Sequence, residues 1–307
     1  MKFIKSKKTF LAAAKEHHGK RRGLKYLLHQ HMAQYHTERS HLVVHASDIS
    51  PVTKADWDGA EFCAREFALF DILGRKLKDY FLTTSMVMTF GLGRDVQDRV
   101  VEQFAAMGRA VGHWRCIACG AGYDFMRRPE GCTRCHGDRF DQVEVRFESA
   151  VSDVSCGIDL LVDTGDPKLR LTEIKSMTPD EFRGLKGPLA EHRWRTNLYM
   201  RIVAESGHTH AEHINTKEAT VLYVSKSGYG AVDPSIKKMG LADGRHSPFK
   251  EYAIKRDDGS TQAQVDRATS VKVFRAGGPV PDRICANALC KRAKQCMVSK
   301  PCFSGDH

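Results

Sequence analysis

Three ionisable residues stand at spacings that could do chemistry. Glu173 and Lys175 lie two apart in Leu169–Lys175, a run that reads as a β-strand. Their side chains therefore leave the same face, while Ile174 between them turns into the core. Asp159 lies in the preceding strand-like run, 158–162, across the turn Thr164-Gly165-Asp166-Pro167. A three-residue loop centred on Asp166 would set Asp159 opposite Glu173. A two-residue loop would pair it with Thr172 and turn it to the wrong face. Facing carboxylates repel unless a cation lies between them, and oxygen-only ligands suit Mg²⁺ or Mn²⁺. Such an ion would polarise a phosphoryl oxygen and acidify an attacking water, with Lys175 orienting that water or stabilising developing charge. The expected chemistry is phosphodiester hydrolysis. A surface hairpin carrying an ordinary Glu–Lys pair would show the same pattern.

A second constellation is made of cysteine, of which the 307-residue chain has 10. A chain of this length can bury a core without disulfide staples, so metal ligation is the better reading. Cys116-Ile117-Ala118-Cys119 and Cys132-Thr133-Arg134-Cys135 are two Cys-x-x-Cys knuckles with 12 residues between them. That spacing suits tetrahedral Zn²⁺ held by four thiolates, a closed and hence structural site. Arg115, Arg127, Arg128, Arg134 and Arg139 make the segment basic, so it reads either as a DNA-contacting module or as a metal staple. Trp114 and Tyr123 would stack on bases or pack beside the metal. A further four cysteines, 285, 290, 296 and 302, crowd the C-terminal end among Lys291, Arg292, Lys294 and Lys300. Neighbouring cations depress thiol pKa values and favour metal binding. Cys156 reads as a small buried hydrophobe, and none of the 15 histidines has partners at a known metal spacing.

The elements that must position these residues are mixed. Residues 1–40 are basic and helix-prone, with nine Lys/Arg and one acid in the first 25 positions. Lys20, Arg21 and Arg22 belong there, either on a phosphate-contacting arm or on a solvated helical face. The pattern predicts a short strand over 41–45, a turn or helix start over 47–51, and a helix over 54–80. Another helix begins after Gly93, with Val96, Val100, Phe104 and Met107 as its buried stripe. Residues 143–147 alternate as a strand, a helix follows Pro188, and 220–224 and 252–254 are further strands before a helix over 261–275. The order is α/β: a mixed sheet flanked by helices.

Gly157-Ile158-Asp159, the hairpin, and Thr172-Glu173-Ile174-Lys175 resemble the core of the PD-(D/E)XK nucleases, restriction-endonuclease-like in fold. The branch resembled is RecB-type, which includes CRISPR-associated and phage iron–sulfur exonucleases. Ser47 to Cys63 resembles that branch's N-terminal helix with its lone cysteine. Gly93-Arg94-Asp95-Val96-Gln97 stands where the branch has a glycine and then a metal-binding histidine, so Gln97 replaces the histidine. Arg195-Thr196-Asn197-Leu198-Tyr199 stands where it has Gln-x-x-x-Tyr, so Arg195 replaces the glutamine and adds positive charge near the scissile phosphate, beside Tyr199. The resemblance implies a [4Fe–4S] cluster held by Cys63 and three tail cysteines. Cys296 and Cys302 match best, and Cys285 or Cys290 supplies the last ligand. A second zinc site made of the four tail cysteines is the other reading. Glu144 and Glu148 are candidates for a supplementary carboxylate, or simply the polar face of an edge strand.

The domain organisation expected is a basic helical segment (1–46), two parts of the nuclease core (47–113 and 141–276) around a zinc-ribbon insertion (114–140), and an iron–sulfur tail (277–307). With 48 Lys+Arg against 37 Asp+Glu, the net charge of +11 is compatible with nucleic acid. No apolar stretch is long enough for a membrane span or a secretory leader, which points to a cytoplasmic, non-secreted protein. The expected function is metal-dependent DNA cleavage, exonucleolytic rather than endonucleolytic, in DNA recombination, repair, replication or processing. Expected partners are single-stranded DNA or duplex ends, with recombination or replication proteins. The competing readings are a non-catalytic DNA-binding or recruitment protein, in which Gln97 marks a decayed site, and a structure-specific endonuclease.

Overall fold

The computed structural model describes residues 24–32, 36–40, 43–49, 62–74, 77–81, 83–227, 231–232 and 246–304. Lys20, Arg21 and Arg22 lie outside the described residues. The chain divides into two compact units, one of residues 1–39 with 79–90 and one of residues 40–78 with 91–307. In the smaller unit lies α1 (Leu24–Met32), whose His29 Nδ1 is 3.0 Å from Thr84 Oγ1. Strand β1 (His36–Ser40) pairs with β3 (Leu77–Phe81).

The larger unit is a mixed α/β structure built on a seven-stranded sheet. Its strands are β4 (Ala110–Cys116), β5 (Gly122–Arg127), β6 (Phe140–Val143), β9 (Leu160–Val162), β10 (Leu169–Met177), β11 (Ile214–Ser225) and β14 (Phe249–Lys255). The order is β14-β11-β10-β9-β4-β5, with β6 also on β4. Only β10 and β11 are parallel; the other pairs are antiparallel. The run Ala219–Ser225 in β11 is buried on both faces, which its β-branched and aromatic composition suits. A second sheet holds β2 (Val44–His45), β8 (Val154–Ile158) and β7 (Val145–Glu148).

Side-chain alternation along β10 separates two cores. Leu171 packs with Val221, Tyr223 and with Leu198 and Ile202 of the helix α6 (Ala190–Glu205). Ile174 packs on the other side with Leu160, Leu222 and with Val100, Val101 and Ala105 of α4 (Thr84–Ala106). The sheet is thus covered by a helix on each face. Between β10 and α6 runs α5 (Pro179–Gly184), opened by a capping box: Glu181 N donates to Thr178 Oγ1 at 3.4 Å, and Thr178 N donates to Glu181 Oε2 at 3.1 Å. At its other end Lys250 Nζ donates to the Phe182 and Leu185 carbonyls at 2.7 and 2.8 Å.

Several expectations are corrected. The span 54–80 does not stay helical: α3 covers Ala64–Ile72 and the chain is a strand by Leu77. The helix expected after Gly93 begins at Thr84, and Met107 lies beyond its end, 59% exposed, so it is not part of the buried stripe. Neither 143–147 nor 158–162 is one strand. Each breaks at its acidic residue, Glu144 and Asp159, because there the chain passes between the seven-stranded and the three-stranded sheet.

The helix α7 (Gln262–Arg275) ends in a Schellman arrangement: Gly277, with φ +92°, donates to Phe274 O, and Gly278 N donates to Val273 O at 2.9 Å. A Cβ on Gly278 would lie 2.8 Å from that same backbone oxygen, which cannot swing away. Gly278→Ala is expected to lower unfolding free energy by about 1–3 kcal/mol, read as a reduced denaturant midpoint at constant slope.

Candidate active site and metal sites

Of the two registers open to the hairpin, the structure has the one centred on Asp166. Val162, Leu161 and Leu160 pair with Arg170, Leu171 and Thr172, and continuing that register sets Asp159 across from Glu173. The hydrogen-bonded ladder stops one pair short of them, at Leu160 and Thr172, and at the turn end it opens with Val162 and Arg170, so the connection between the paired residues is longer than the three residues expected. Where β9 has ended, the Ile174 N–H donates to Asp159 Oδ2 at 2.9 Å, so the aspartate takes the place of a strand partner. On the opposite side the β10–β11 register shifts between Arg170 and Thr172, a bulge one residue before Glu173.

Four side chains meet here. Lys175 Nζ contacts Glu173 and lies 3.8 Å from Asp159 Oδ2. It also donates to the Ile174 carbonyl at 3.2 Å. Gln97, on α4, donates from Nε2 to Asp159 Oδ1 at 3.3 Å. At Gly93, one turn before Gln97, α4 passes close to β10: a Cβ there would stand at ordinary contact distance, 3.5 Å, from Ser176 Oγ. Exposure of the side chains is 14% for Asp159, 2% for Glu173 and 23% for Lys175. Tyr199, on α6, is buried in the same core, and its phenol pKa is raised well above the usual value by burial and by the Glu173 charge.

Burial and the Glu173 charge push the Asp159 carboxyl up to about 8. Burial pushes Glu173 up too, but the touching Lys175 ammonium, with Arg195 farther off, outweighs it and holds that carboxyl below its usual range. Burial pulls Lys175 down, and the two carboxylates more than compensate. One ammonium therefore balances one carboxylate, and the second carboxylate calls for another cation or a proton. Two oxygen ligands facing one another fit a hard divalent ion.

Glu144 sits at the edge of this region. Its carboxylate pairs with Arg146 at 3.2 Å and lies against Gly157, where a Cβ would stand 2.5 Å from Glu144 Oε2. Glu148 ends β7 with an exposed side chain. His192 has no site in the sequence reading, because no histidine there has partners at a known metal spacing. It lies on α6 beneath Lys175, whose charge adds to burial in lowering the imidazole to about 4.

The four knuckle cysteines converge, with all their sulfurs within 4.8 Å of one another. Cys116 and Cys135 Sγ are 3.6 Å apart, and Cys119 and Cys132 Sγ 3.5 Å. These separations are far too long for a disulfide and close to the ~3.8 Å edge of a tetrahedron with ~2.3 Å metal–sulfur bonds. The four can hold a metal ion. Trp114 and Tyr123 serve this knot. Trp114 is buried and donates from Nε1 to Met126 O at 2.9 Å, and the Tyr123 hydroxyl accepts from Thr133 N at 2.7 Å. Of the basic residues in this segment, Arg127 is ion-paired with Asp163 and Arg128 with Glu102, so both are engaged within the chain.

At the C-terminal end Cys63, Cys285, Cys296 and Cys302 line one pocket with Glu66 and Arg292. Cys290 caps α8 (Lys291–Gln295), its Sγ accepting from Ala293 N at 3.3 Å, and its side chain also hydrogen-bonds Cys285. At Cys63, Cys285 and Cys296 the expected depression by neighbouring cations is not found. Burial raises Cys63, pushes Cys285 up to about 12 and Cys296 to about 11, and Arg292 only partly offsets it at Cys63 and Cys285. Cys156 is buried, as its apolar setting suggested.

Among the described residues no helix is long and apolar enough to cross a membrane. Comparison with protein-family profiles gave no match, and comparison with curated proteins gave none. Solved structures similar to this chain include LHK-Exo in complex with dAMP, at 13% identity over 76% of this chain and 88% of that one, with a TM-score of 0.40. SSO0001 is similar at 14% identity over 90% of this chain and 95% of that one, with a TM-score of 0.37. Likeness at this level says nothing of chemistry, which rests on the side chains described above.

Proposed function

We propose that the chain is a divalent-metal-dependent DNA nuclease of the PD-(D/E)XK type, acting by preference as an exonuclease. The observation that carries the reading is the buried group Asp159, Glu173 and Lys175, with one carboxylate left over after the internal ion pair. Mg²⁺ or Mn²⁺ held by Asp159 and Glu173, with the Gln97 amide oxygen after a flip of that side chain, would polarise the phosphoryl oxygen and acidify the attacking water. Lys175 keeps its proton and holds positive charge where the phosphorane develops negative charge. Arg195 adds a second cation on α6, and Tyr199 walls the site off from water. The basic net charge supports DNA as the substrate, single-stranded or as duplex ends. We place that activity inside the cell, in DNA recombination, repair, replication or processing. A non-catalytic DNA-binding role has one observation in its favour: Gln97 presents an amide N–H to Asp159 where the resembled family has an imidazole.

The deciding assay offers linear and circular DNA, single- and double-stranded, with Mg²⁺ and with Mn²⁺. Products from linear substrates alone mark an exonuclease; products from circles mark an endonuclease; no product under any condition leaves the binding role. Asp159→Ala, Glu173→Ala and Lys175→Ala should each reduce turnover by on the order of a hundredfold or more, since each removes charge needed in the transition state. Circular dichroism and DNA affinity should change little. Two of the three variants retaining activity would sink the site.

For the four-thiolate site we assign Zn²⁺. Elemental analysis should find about one zinc at this site, lost on joint replacement of Cys116 and Cys119 by serine together with a drop in thermal stability. Zinc content unaffected by that replacement would contradict the site.

For the C-terminal pocket we assign a [4Fe–4S] cluster on Cys63, Cys285, Cys296 and Cys302, with Cys290 left over as a helix cap. Anaerobically purified protein should be brown, and Cys63→Ala should bleach it although Cys63 is 222 positions before Cys285. Colour surviving in that variant would leave the tail cysteines to a site of their own.

A further inference from the structure

Tyr223 lies directly opposite Lys175 in the parallel β10–β11 ladder and is fully buried. Its side chain therefore shares the face of Lys175 and reaches α6. The Leu189 N–H donates to the Tyr223 hydroxyl oxygen at 2.9 Å, and His192 Nδ1 is 2.9 Å from the same oxygen. With its oxygen already accepting from Leu189, the hydroxyl has its own hydrogen to place, and Nδ1 is the acceptor it meets. Nδ1 is then unprotonated, and the neutral imidazole carries its hydrogen on Nε2. Burial and the nearby Lys175 charge favour that neutral form. On the outer side, Nε2 lies 3.4 Å from Glu191 Oε1, a half-exposed carboxylate that an incoming anion can displace.

We infer that His192 is a substrate-binding residue, whose Nε2–H donates to a non-bridging oxygen of the phosphodiester next to the scissile one. Glu191 is the anion that covers this donor when no nucleic acid is bound. The inference rests on the phosphodiesterase reading above. Three things in the geometry carry it. His192 lies one turn of α6 before Arg195 and two before Tyr199, so the three side chains share a face. Tyr223 fixes the ring in one tautomer, which suits a donor of set direction. A neutral donor also fits beside Lys175 and Arg195, where a third buried cation would be costly. Phosphate oxygens commonly take such contacts, which position a strand without reading its sequence.

The test is steady-state cleavage of a labelled linear oligonucleotide, with its affinity measured in the Asp159→Ala background. His192→Ala should raise KM about tenfold, the loss of one hydrogen bond to a charged acceptor, with a smaller change in kcat. His192→Gln, whose amide nitrogen can take the place of Nε2, should recover most of the loss. His192→Asn, whose amide is too short, should not. Glu191→Ala should lower KM, a change of opposite sign that a purely structural role for this helix would not produce. Nitrogen-15 NMR of the free protein should find His192 as the Nε2–H tautomer, and Tyr223→Phe should unfix it. A KM unchanged in His192→Ala, equal defects in the Gln and Asn variants, or an Nδ1–H tautomer each overturns the inference. Should His192→Ala fail to fold, the Gln and Asn pair and the spectrum decide. If Asp159→Ala retains activity, the phosphodiesterase reading falls and this inference with it. If that variant is inactive while His192→Ala behaves as wild type, only the inference falls.

Discussion

Two acidic side chains face each other in a pocket that water scarcely enters, and the surrounding architecture is arranged about that repulsion. Asp159 and Glu173 come together because β8 leaves one sheet and β9 joins the other at Asp159 itself. A continuous strand would have had its neighbour's backbone groups satisfied by the ladder. The break leaves the Ile174 N–H for the Asp159 carboxylate to satisfy. Among the ion pairs described above, Lys175 alone touches both carboxylates, with the Arg195 charge acting on Glu173 from farther off, so Asp159 is the less well compensated of the two. A buried carboxylate left in that condition takes up a proton or a cation, and here the Asp159 pKa rises to about 8.

The rest of the fold keeps that pocket from relaxing. Ile174, on the far side of β10, is locked into the core under α4, and the same helix delivers Gln97. On the near side Leu171, Val221 and Tyr223 pack under α6. The capping box of α5 and the Lys250 hydrogen bonds at its other end fix the connection between β10 and α6, so both walls of the pocket are tied to one rigid sheet. Such anchoring is what holds like charges together against their mutual repulsion.

Much of this was legible in the sequence, and the exceptions have physical causes. The Glu173-Ile174-Lys175 alternation is a local property of a strand and could be read directly. Whether Asp159 faced Glu173 hung on loop length, which turn residues alone leave open. The strand breaks at Glu144 and Asp159 were invisible, because period-two alternation continues unchanged when a strand passes from one sheet to another. Met107 fitted a helical stripe by count, but the helix ends before it. Arg127 and Arg128 read as free positive charge, and only the tertiary structure brings Asp163 and Glu102 to them. The thiols at the C-terminal end were expected to be acidic from their cationic neighbours. Burial, which a sequence does not display, wins there.

The four-cysteine segment does not stand apart from this sheet. Trp114, Cys116, Cys132 and Phe140 belong to the same core as Leu160, Ile174 and Val100, and β4 pairs with β9 on one side and with β5 on the other. Strand β5 is thus the sheet's selvedge. It carries Phe125 in a left-handed conformation (φ 45°), and the ladder slips between Gly112 and Trp114. A twisted, irregular border of this kind is a poor template for another chain. Excising the segment to obtain a smaller protein would bare β4, a mostly buried and apolar strand, and so exchange a closed border for an adhesive one. What reads in the sequence as an interruption is, in three dimensions, the hem that keeps the sheet to itself.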